Sequence, residues 1–140
     1  MPDDALPPMI SLLPLPSFPD VNGVLVVTSA QARPFDIARA FTIHADAGMV
    51  RGQHAHRSCS QFLVCVAGSF RISVSNGVLN SEVNLDSPDA GLLIPPHIWA
   101  SEQATSDGSV LLVLCDMEYD EVEYIREYEE FLALVGVNAK

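Results

Sequence analysis

The chain has 140 residues, of which 49% are hydrophobic, and this length and composition predict one globular domain with a buried core. Its 18 acidic residues outnumber 7 basic ones and give a formal net charge of -11, which excludes a general nucleic-acid binder. A few placed arginines would still suffice to bind one phosphorylated small molecule. Three cysteines without metal-ligand spacing predict neither a disulfide framework nor a zinc knuckle.

The N-terminal residues carry no signal-peptide pattern, and no apolar run approaches the length of a membrane span. We therefore expect a cytoplasmic protein without a membrane partner. Prolines recur through residues 1–19 and predict an extended arm rather than a helix, because each fixes φ and removes a backbone donor. Within this arm, residues 10–15 are expected to add one edge strand, to this chain or to a second subunit. Residues 20–140 are expected to form a single domain.

Short strands separated by turn residues are predicted through most of the remaining chain. The clearest is the apolar run 61–67, which closes at Gly68, followed by the alternating segment 70–75 and the hairpin signal Asn76-Gly77. Segment 99–105 is ambiguous. Further strands are predicted at 24–28, 37–44, 78–85, 92–94 and 110–115, and one strand carries His54 and His56.

From Asp120 onward the spacing of apolar residues changes from two to three and four, which predicts an amphipathic helix with Asp120 as its N-cap. The apolar residues of this helix would be Val122, Ile125, Tyr128, Phe131, Leu132 and Val135. Many short strands with one terminal helix predict an all-β fold, a small β-barrel or jelly roll with a C-terminal α-helix.

Two histidines form the best candidate site of the chain. His54 and His56 are two residues apart, so on a strand they project from the same face, and Arg51 precedes them by three residues. Polar side chains that enter an apolar barrel are costly unless they are used or satisfied. Catalysis is one interpretation, and a hydrogen-bonded pair without catalytic use is the other.

The run Gly-x5-His-x-His-x4-Gln-x6-Gly over residues 48–68 resembles the first cupin motif. Gln61 stands where a metal-binding cupin usually has glutamate, and Ala100 lies near the place of the third histidine of the second motif. A divalent metal usually needs three or more ligands, often including a carboxylate. We therefore expect neither a metal nor another cofactor, and a metal-dependent cupin oxygenase is a less favoured alternative.

Further motifs make the resemblance more specific. Several runs resemble the sugar 3,4-ketoisomerases that act on dTDP-4-keto-6-deoxyglucose, over about residues 20–132. The runs include Pro34-Phe-Asp-Ile37, Arg51-Gly-x-His-Ala-His56, Pro96-x-x-Trp99 and Tyr119-Asp-Glu-x-x-Tyr-Ile-Arg-x-Tyr-x-x-Phe131. The resemblance implies a metal-free cupin, a homodimer with exchanged N-terminal strands, and an isomerase that moves a ketone from C4 to C3 through an enediol.

The resemblance also implies roles for individual residues. His54 would be the main acid and base, with His56 beside it, because imidazole both accepts and donates protons near neutral pH. The substrate would contact Arg51, Gln61, Trp99, Arg39, Asn22, Phe41 and Ala100. For Gln61 a hydrogen bond to a histidine is the favoured role, whereas Arg51 has a surface ion pair as its alternative and Trp99 has core packing.

Three of these positions depart from the family pattern. Phe41 replaces a tyrosine, and Asn22 and Ala100 replace larger polar side chains. These changes keep a second interpretation open, namely a non-catalytic or substrate-shifted nucleotide-sugar-binding cupin.

Overall fold

The computed structural model describes residues 6–29 and 34–137. Pro2 of the predicted arm and the last three residues lie outside these ranges. The strands are β1 Ser11–Pro14, β2 Ser17–Asp20, β3 Gly23–Val26, β4 Arg39–Ala45, β5 Val50–His56, β6 Gln61–Ala67, β7 Phe70–Ser75, β8 Asn80–Leu85, β9 Ala90–Ile94, β10 Trp99–Ala104, β11 Ser109–Cys115 and β12 Tyr124–Ile125. A 3₁₀ turn spans Glu121–Glu123, and one α-helix, α1, spans Tyr128–Leu134.

Two five-stranded sheets form the barrel, and all their strand pairs are antiparallel. The first sheet has the order β1-β9-β6-β11-β4, and the second has the order β12-β5-β10-β7-β8. Strands β2 and β3 form a separate hairpin. This arrangement confirms the predicted all-β jelly roll with one C-terminal helix.

The main core lies between the two sheets, because each strand turns alternate residues inward. On β7 the inward residues are Phe70, Ile72 and Val74, as the alternation predicts, and all three are buried. Leu111 and Val113 of β11 meet them from the opposite sheet within the same cluster. Burial of such side chains contributes about 1.5–3 kcal/mol each, so this alternation fixes which face of every strand lines the interior.

The outer face of each sheet is covered by a different end of the chain. Leu13 and Leu15 of the N-terminal arm pack with Phe62 and Val64 on the first sheet. Phe131 and other residues of the C-terminal segment pack over Ala55 on the second sheet. Both ends therefore bury apolar side chains in two clusters outside the main core. Among the described residues no helix has the length and apolar character needed to cross a membrane.

The predicted helix from Asp120 was wrong in its start. Asp120 does cap a helical turn, since its Oδ1 accepts a hydrogen bond from Val122 N at 3.0 Å, but that turn is a short 3₁₀ segment. Tyr124 and Ile125 then extend and pair with β5, and Ile125 is fully buried there. This tertiary pairing overrides the helical spacing, and the α-helix begins at Tyr128.

The other strand boundaries differ less. The segment 99–105, which the sequence left ambiguous, contains β10, and the strand predicted from Val78 begins at Asn80. Asn76 explains the later start, because its side-chain oxygen accepts hydrogen bonds from Val78 N at 2.9 Å and Leu79 N at 2.8 Å and so lengthens the turn.

Candidate active site

A β-bulge in β5 sets the geometry of the candidate site. Ala100 of β10 lies opposite His54, but the next residue, Ser101, lies opposite Gly52, so Gln53 is an extra residue in β5. Gly52 and Gln53 have positive φ values of 87° and 62°, as such a bulge requires. On a regular strand, residues three apart would face opposite sides. The bulge instead lets both Arg51 and His54 line one cavity.

That cavity has a volume of about 530 Å³ and is lined by residues of both sheets. Polar groups reach it from different parts of the chain. Arg51 and His54 come from β5, Gln61 from β6 and Glu102 from β10. Phe41 contributes an apolar part of the wall. The volume lies in the range of small-molecule sites. Most of the lining side chains are polar, and the apolar ones are Phe41, Ile43, Leu63 and Val113.

The two predicted histidines lie side by side. Their ring centroids are 5.0 Å apart and the rings are nearly perpendicular. Tyr124 contacts both rings, with its centroid 4.8 Å from that of His54 and 4.5 Å from that of His56. His54 lines the cavity, whereas His56 is almost fully buried beside it. The three rings therefore pack against one another. Of the two histidines, His54 is the one that a molecule bound in the cavity can contact.

Both imidazoles are uncharged near neutral pH. Burial lowers the pKa of His54 below its usual value of 6.5. Burial and then the neighbouring His54 lower the pKa of His56 to about 4. Nδ1 of His54 and both ring nitrogens of His56 have no hydrogen-bond partner among the described residues. Three of the four ring nitrogens of this pair are therefore without a hydrogen bond from residues 6–29 and 34–137.

Glu102 is a site residue that sequence reasoning missed. It projects from β10 into the cavity and is only 8% exposed. A Cβ at Gly52 would lie 2.8 Å from both carboxyl oxygens of Glu102, so the bulge glycine makes room for this side chain. Burial raises the pKa of Glu102 to about 7, although the nearby Arg51 acts in the opposite direction. Burial in the cavity thus favours the protonated form of this carboxyl group.

Among the described residues, Gln61 forms a hydrogen bond to Cys115 and not the predicted one to a histidine. Its Nε2 donates to Sγ of Cys115 at 3.6 Å, and the guanidinium of Arg39 donates to the same sulfur at 3.3 Å. Hydrogen bonds from the neighbouring Cys59 thiol, from Arg39 and from Gln61 lower the pKa of the Cys115 thiol. Arg39 also contacts the ring of Phe41, with 5.6 Å to the centroid. Gln61 therefore links the cavity to the buried pair of Arg39 and Cys115, which do not line it themselves.

The C-terminal segment supplies one wall of the cavity through Tyr119, Tyr124 and Arg126. The guanidinium of Arg126 lies 4.6 Å from the ring centroid of Tyr124, and the Tyr119 hydroxyl donates to Glu121. That hydrogen bond raises the pKa of Tyr119. The pairing of β12 with β5 places these residues next to the histidines. All three lie in the run 119–131, which resembles the family motif. The helix predicted from Asp120 did not place them at the cavity.

Four of the predicted substrate contacts, namely Arg39, Trp99, Ala100 and Asn22, are not among the residues that line this cavity. Trp99 faces outward, because alternation on β10 turns Ala100 and Glu102 inward, and it packs on Tyr128 at 5.2 Å. Ala100 is buried in the core opposite His54. Asn22 lies in the exposed turn between β2 and β3. Within this chain Trp99 is partly buried against the C-terminal segment, and its role toward a substrate remains a prediction.

Within residues 6–29 and 34–137, no three His, Cys, Asp or Glu side chains are grouped so that they could hold a metal ion. The expectation of no metal or cofactor remains a prediction.

A jelly-roll barrel whose internal cavity is lined by titratable side chains has the architecture of a cupin that binds a small molecule. The family described as "FdtA: WxcM-like, C-terminal" matches residues 9–136. The chain belongs to this family, which confirms the resemblance to sugar 3,4-ketoisomerases found in the sequence.

Individual relatives agree with this assignment. A TDP-4-oxo-6-deoxy-alpha-D-glucose-3,4-oxoisomerase of Aneurinibacillus thermoaerophilus is 39% identical over 114 residues, which cover 80% of this chain and 82% of that protein. A 3,4-ketoisomerase structure from Helicobacter canadensis is 33% identical, covers 91% of this chain and 98% of its own, and has a TM-score of 0.87.

A third relative was solved with its ligand. A variant of the 3,4-ketoisomerase QdtA from Thermoanaerobacterium thermosaccharolyticum, in complex with TDP-4-keto-6-deoxyglucose, is 30% identical with a TM-score of 0.88. The match covers 93% of this chain and 96% of that one.

The raised pKa of Glu102 predicts a pH-dependent stability. The unfolded chain releases this proton near 4.5 and the folded chain near 7, so the wild type loses stability as pH rises between these values. Glu102→Gln removes this dependence. Relative to the wild type, its free energy of unfolding should therefore rise by up to about 3 kcal/mol between pH 4.5 and pH 8.

Urea denaturation at both pH values measures this difference. Glu82→Gln is the matched control, because the Glu82 side chain is 65% exposed on β8 and should show no such trend. A Glu102→Gln effect that is the same at both pH values would contradict the assigned ionisation.

Proposed function

We propose that the chain isomerises a TDP-linked 4-keto-6-deoxy sugar by moving the ketone from C4 to C3. The observation that carries this proposal is a cavity-lining, uncharged His54 in a chain whose relatives are named as 3,4-ketoisomerases of such sugars. Removal of a proton beside a carbonyl requires a base that is free near neutral pH. The lowered pKa of His54 supplies that condition.

The distribution of charge supports a nucleotide-linked substrate. The whole chain has a net charge of -11 and only 7 basic residues, yet Arg51 and Arg126 both line this cavity. Arg51 has no ion pair with any described residue, so its charge is available to a ligand. Arginine binds phosphate oxygens through several donors at once. A diphosphate that links nucleoside and sugar fits this pair of cations.

The chemistry requires one proton transfer at each of two adjacent carbons. His54 removes the C3 proton, which the neighbouring carbonyl acidifies, and an enediol forms. The protonated His54 then returns a proton to C4. His56 and Tyr124 hold the ring of His54 in position, since both contact it within 5.0 Å between centroids. Arg51 stabilises negative charge that develops on the substrate.

Turnover of TDP-4-keto-6-deoxyglucose in deuterated water tests this function. The wild type should form a 3-keto product with deuterium at C4, because the returned proton exchanges with solvent on His54. His54→Asn should lower kcat by roughly 10²–10⁴-fold, the usual effect of losing a general base. NMR of the sugar reports both product and label.

His97→Asn is the matched control for this variant. His97 is exposed, lies outside the cavity and has a positive φ of 69°, which asparagine tolerates well. It should keep wild-type activity. If the protein binds TDP but forms no product and incorporates no deuterium, it is a non-catalytic binding module. If it neither binds TDP nor forms product, both the isomerase and the binding module are rejected.

Arg51 should contribute binding energy for the diphosphate. Arg51→Ala is expected to raise the Kd for TDP by about 10- to 100-fold, the effect of losing hydrogen bonds to a charged group. Calorimetry measures this change. Arg71→Ala serves as the control, because Arg71 lies on the outer face of β7, where it donates to Gln103 at 3.1 Å. Equal affinities for the two variants would exclude Arg51 from the nucleotide site.

A homodimer with exchanged N-terminal strands is also part of the proposal. Strand β1 lies at the edge of the first sheet on β9, and an exchanged copy would make the same contacts on a partner. The β2–β3 hairpin supports association, since Phe18, Val24 and Leu25 each expose more than half of their surface. Cytoplasmic localisation remains a prediction from the sequence.

Light scattering tests the dimer. The wild type should have about twice the chain mass of 15.1 kDa. Leu25→Asp should dissociate it, because a charge would be buried in the interface. Val78→Asp is the control on the β7–β8 turn, where Val78 is 72% exposed, and it should stay dimeric. A monomeric wild type would reject the exchange.

A further inference from the structure

We infer that Glu102 determines which sugar the site accepts, through a hydrogen bond to the hydroxyl group at C2 of the hexose ring. This inference rests on the proposed isomerase function and narrows its substrates to sugars that carry this hydroxyl. Glu102 is more than nine-tenths buried, yet its carboxyl group forms no hydrogen bond and no ion pair with any of the described residues. Such a group is costly to bury unless a ligand completes its contacts.

The carboxyl lies between the two side chains to which the proposed function assigns the ends of the sugar. Glu102 pairs with Arg51 in the register of β10 and β5, two positions along β10 from the pair of Ala100 and His54. A Cβ at Gly52 would lie 2.8 Å from both carboxyl oxygens, and Gly52 lies between Arg51 and His54 in β5. The carboxyl group is therefore held against the segment of wall that separates the cation from the base.

The order of atoms in the substrate matches this order of side chains. In a TDP-linked 4-keto-6-deoxyglucose, C1 carries the diphosphate, C2 carries a hydroxyl, and C3 and C4 exchange the ketone. With the diphosphate at Arg51 and C3 at His54, C2 is the carbon in between. Its hydroxyl takes no part in the isomerisation and is free to serve recognition. We therefore place this hydroxyl against the Glu102 carboxyl.

Most other polar side chains of the cavity wall already have partners within the chain. These pairs are Thr42 with His44, Gln61 with Cys115, Tyr119 with Glu121, and Arg126 with Glu121. On β10, the inward neighbours of Glu102 are the small residues Ala100 and Ala104, which leave its carboxyl accessible from the cavity. Glu102 is therefore the wall group best placed to bind an additional hydroxyl.

The charge of Glu102 is compatible with a diphosphate nearby. Burial favours its protonated form and raises its pKa, although Arg51 acts in the opposite direction. Neighbouring β7 presents Ile72 opposite Glu102 and adds no charge. A neutral carboxyl group does not repel the anion, and it offers both a donor and an acceptor to a hydroxyl.

The 2-deoxy analogue of TDP-4-keto-6-deoxyglucose tests the inference, because it lacks this hydroxyl and keeps both reacting carbons. The wild type should convert the parent sugar with a kcat/KM about 10- to 100-fold above that for the analogue, the effect of leaving a buried polar group without its partner. In Glu102→Met, which has a similar length but only a weakly accepting thioether, this ratio should fall close to one. Glu102→Gln keeps a donor and an acceptor and should retain most of the preference.

Glu82→Met is the matched control, because the Glu82 side chain is 65% exposed on β8, and it should keep the wild-type ratio. A purely structural role of Glu102 would lower the turnover of both sugars alike and leave the ratio unchanged. Glu102→Ala, which also removes the carboxyl, should lose the preference as well and decides the inference where Glu102→Met does not fold.

Equal kcat/KM values for the two sugars in the wild type would overturn the role of Glu102 and leave the isomerase intact. An undiminished preference in the variants without a carboxyl or amide would do the same. If the wild type converts neither sugar, the proposed function is rejected, and this inference with it.

Discussion

One extra residue in β5 determines the chemistry of the barrel. Without the bulge at Gly52 and Gln53, the pleat would send Arg51 and His54 to opposite faces of the sheet. With it, a cation and a neutral base share one cavity. The same glycine leaves the space that the Glu102 carboxyl occupies. A local backbone irregularity thus gathers three kinds of polar group that regular strand geometry would separate.

The surrounding protein lets these groups remain buried in unusual states. Burial favours the neutral forms of both histidines and of Glu102, so these side chains can donate and accept protons. Two arginines lie among them in a chain with a net charge of -11. This combination suits an anionic ligand whose reacting part exchanges protons with the wall, because charge binds the anion and neutrality permits the transfers.

Strong local patterns made much of the fold predictable. Strands β6 and β7 match the prediction to the residue, because an apolar run and a regular alternation were each bounded by turn signals. The spacing of His54 and His56 likewise predicted their shared face. Glu102 was missed because small alanines flank it on β10 and give no periodic hydrophobic signal. The start of the C-terminal helix was misjudged because pairing with β5, a tertiary interaction, competes with helical spacing.

The position of β12 has a consequence for biosynthesis. Strand β5 completes its backbone pairing only when Tyr124 and Ile125, some seventy residues later in the chain, have been made. Most of the barrel consists of such distant pairings, which form slowly because long loops must close first. The nascent polypeptide therefore leaves the ribosome almost entirely before the cavity can form. A chain that ends before Tyr124 leaves β5 with an unpaired edge, and such an edge favours aggregation.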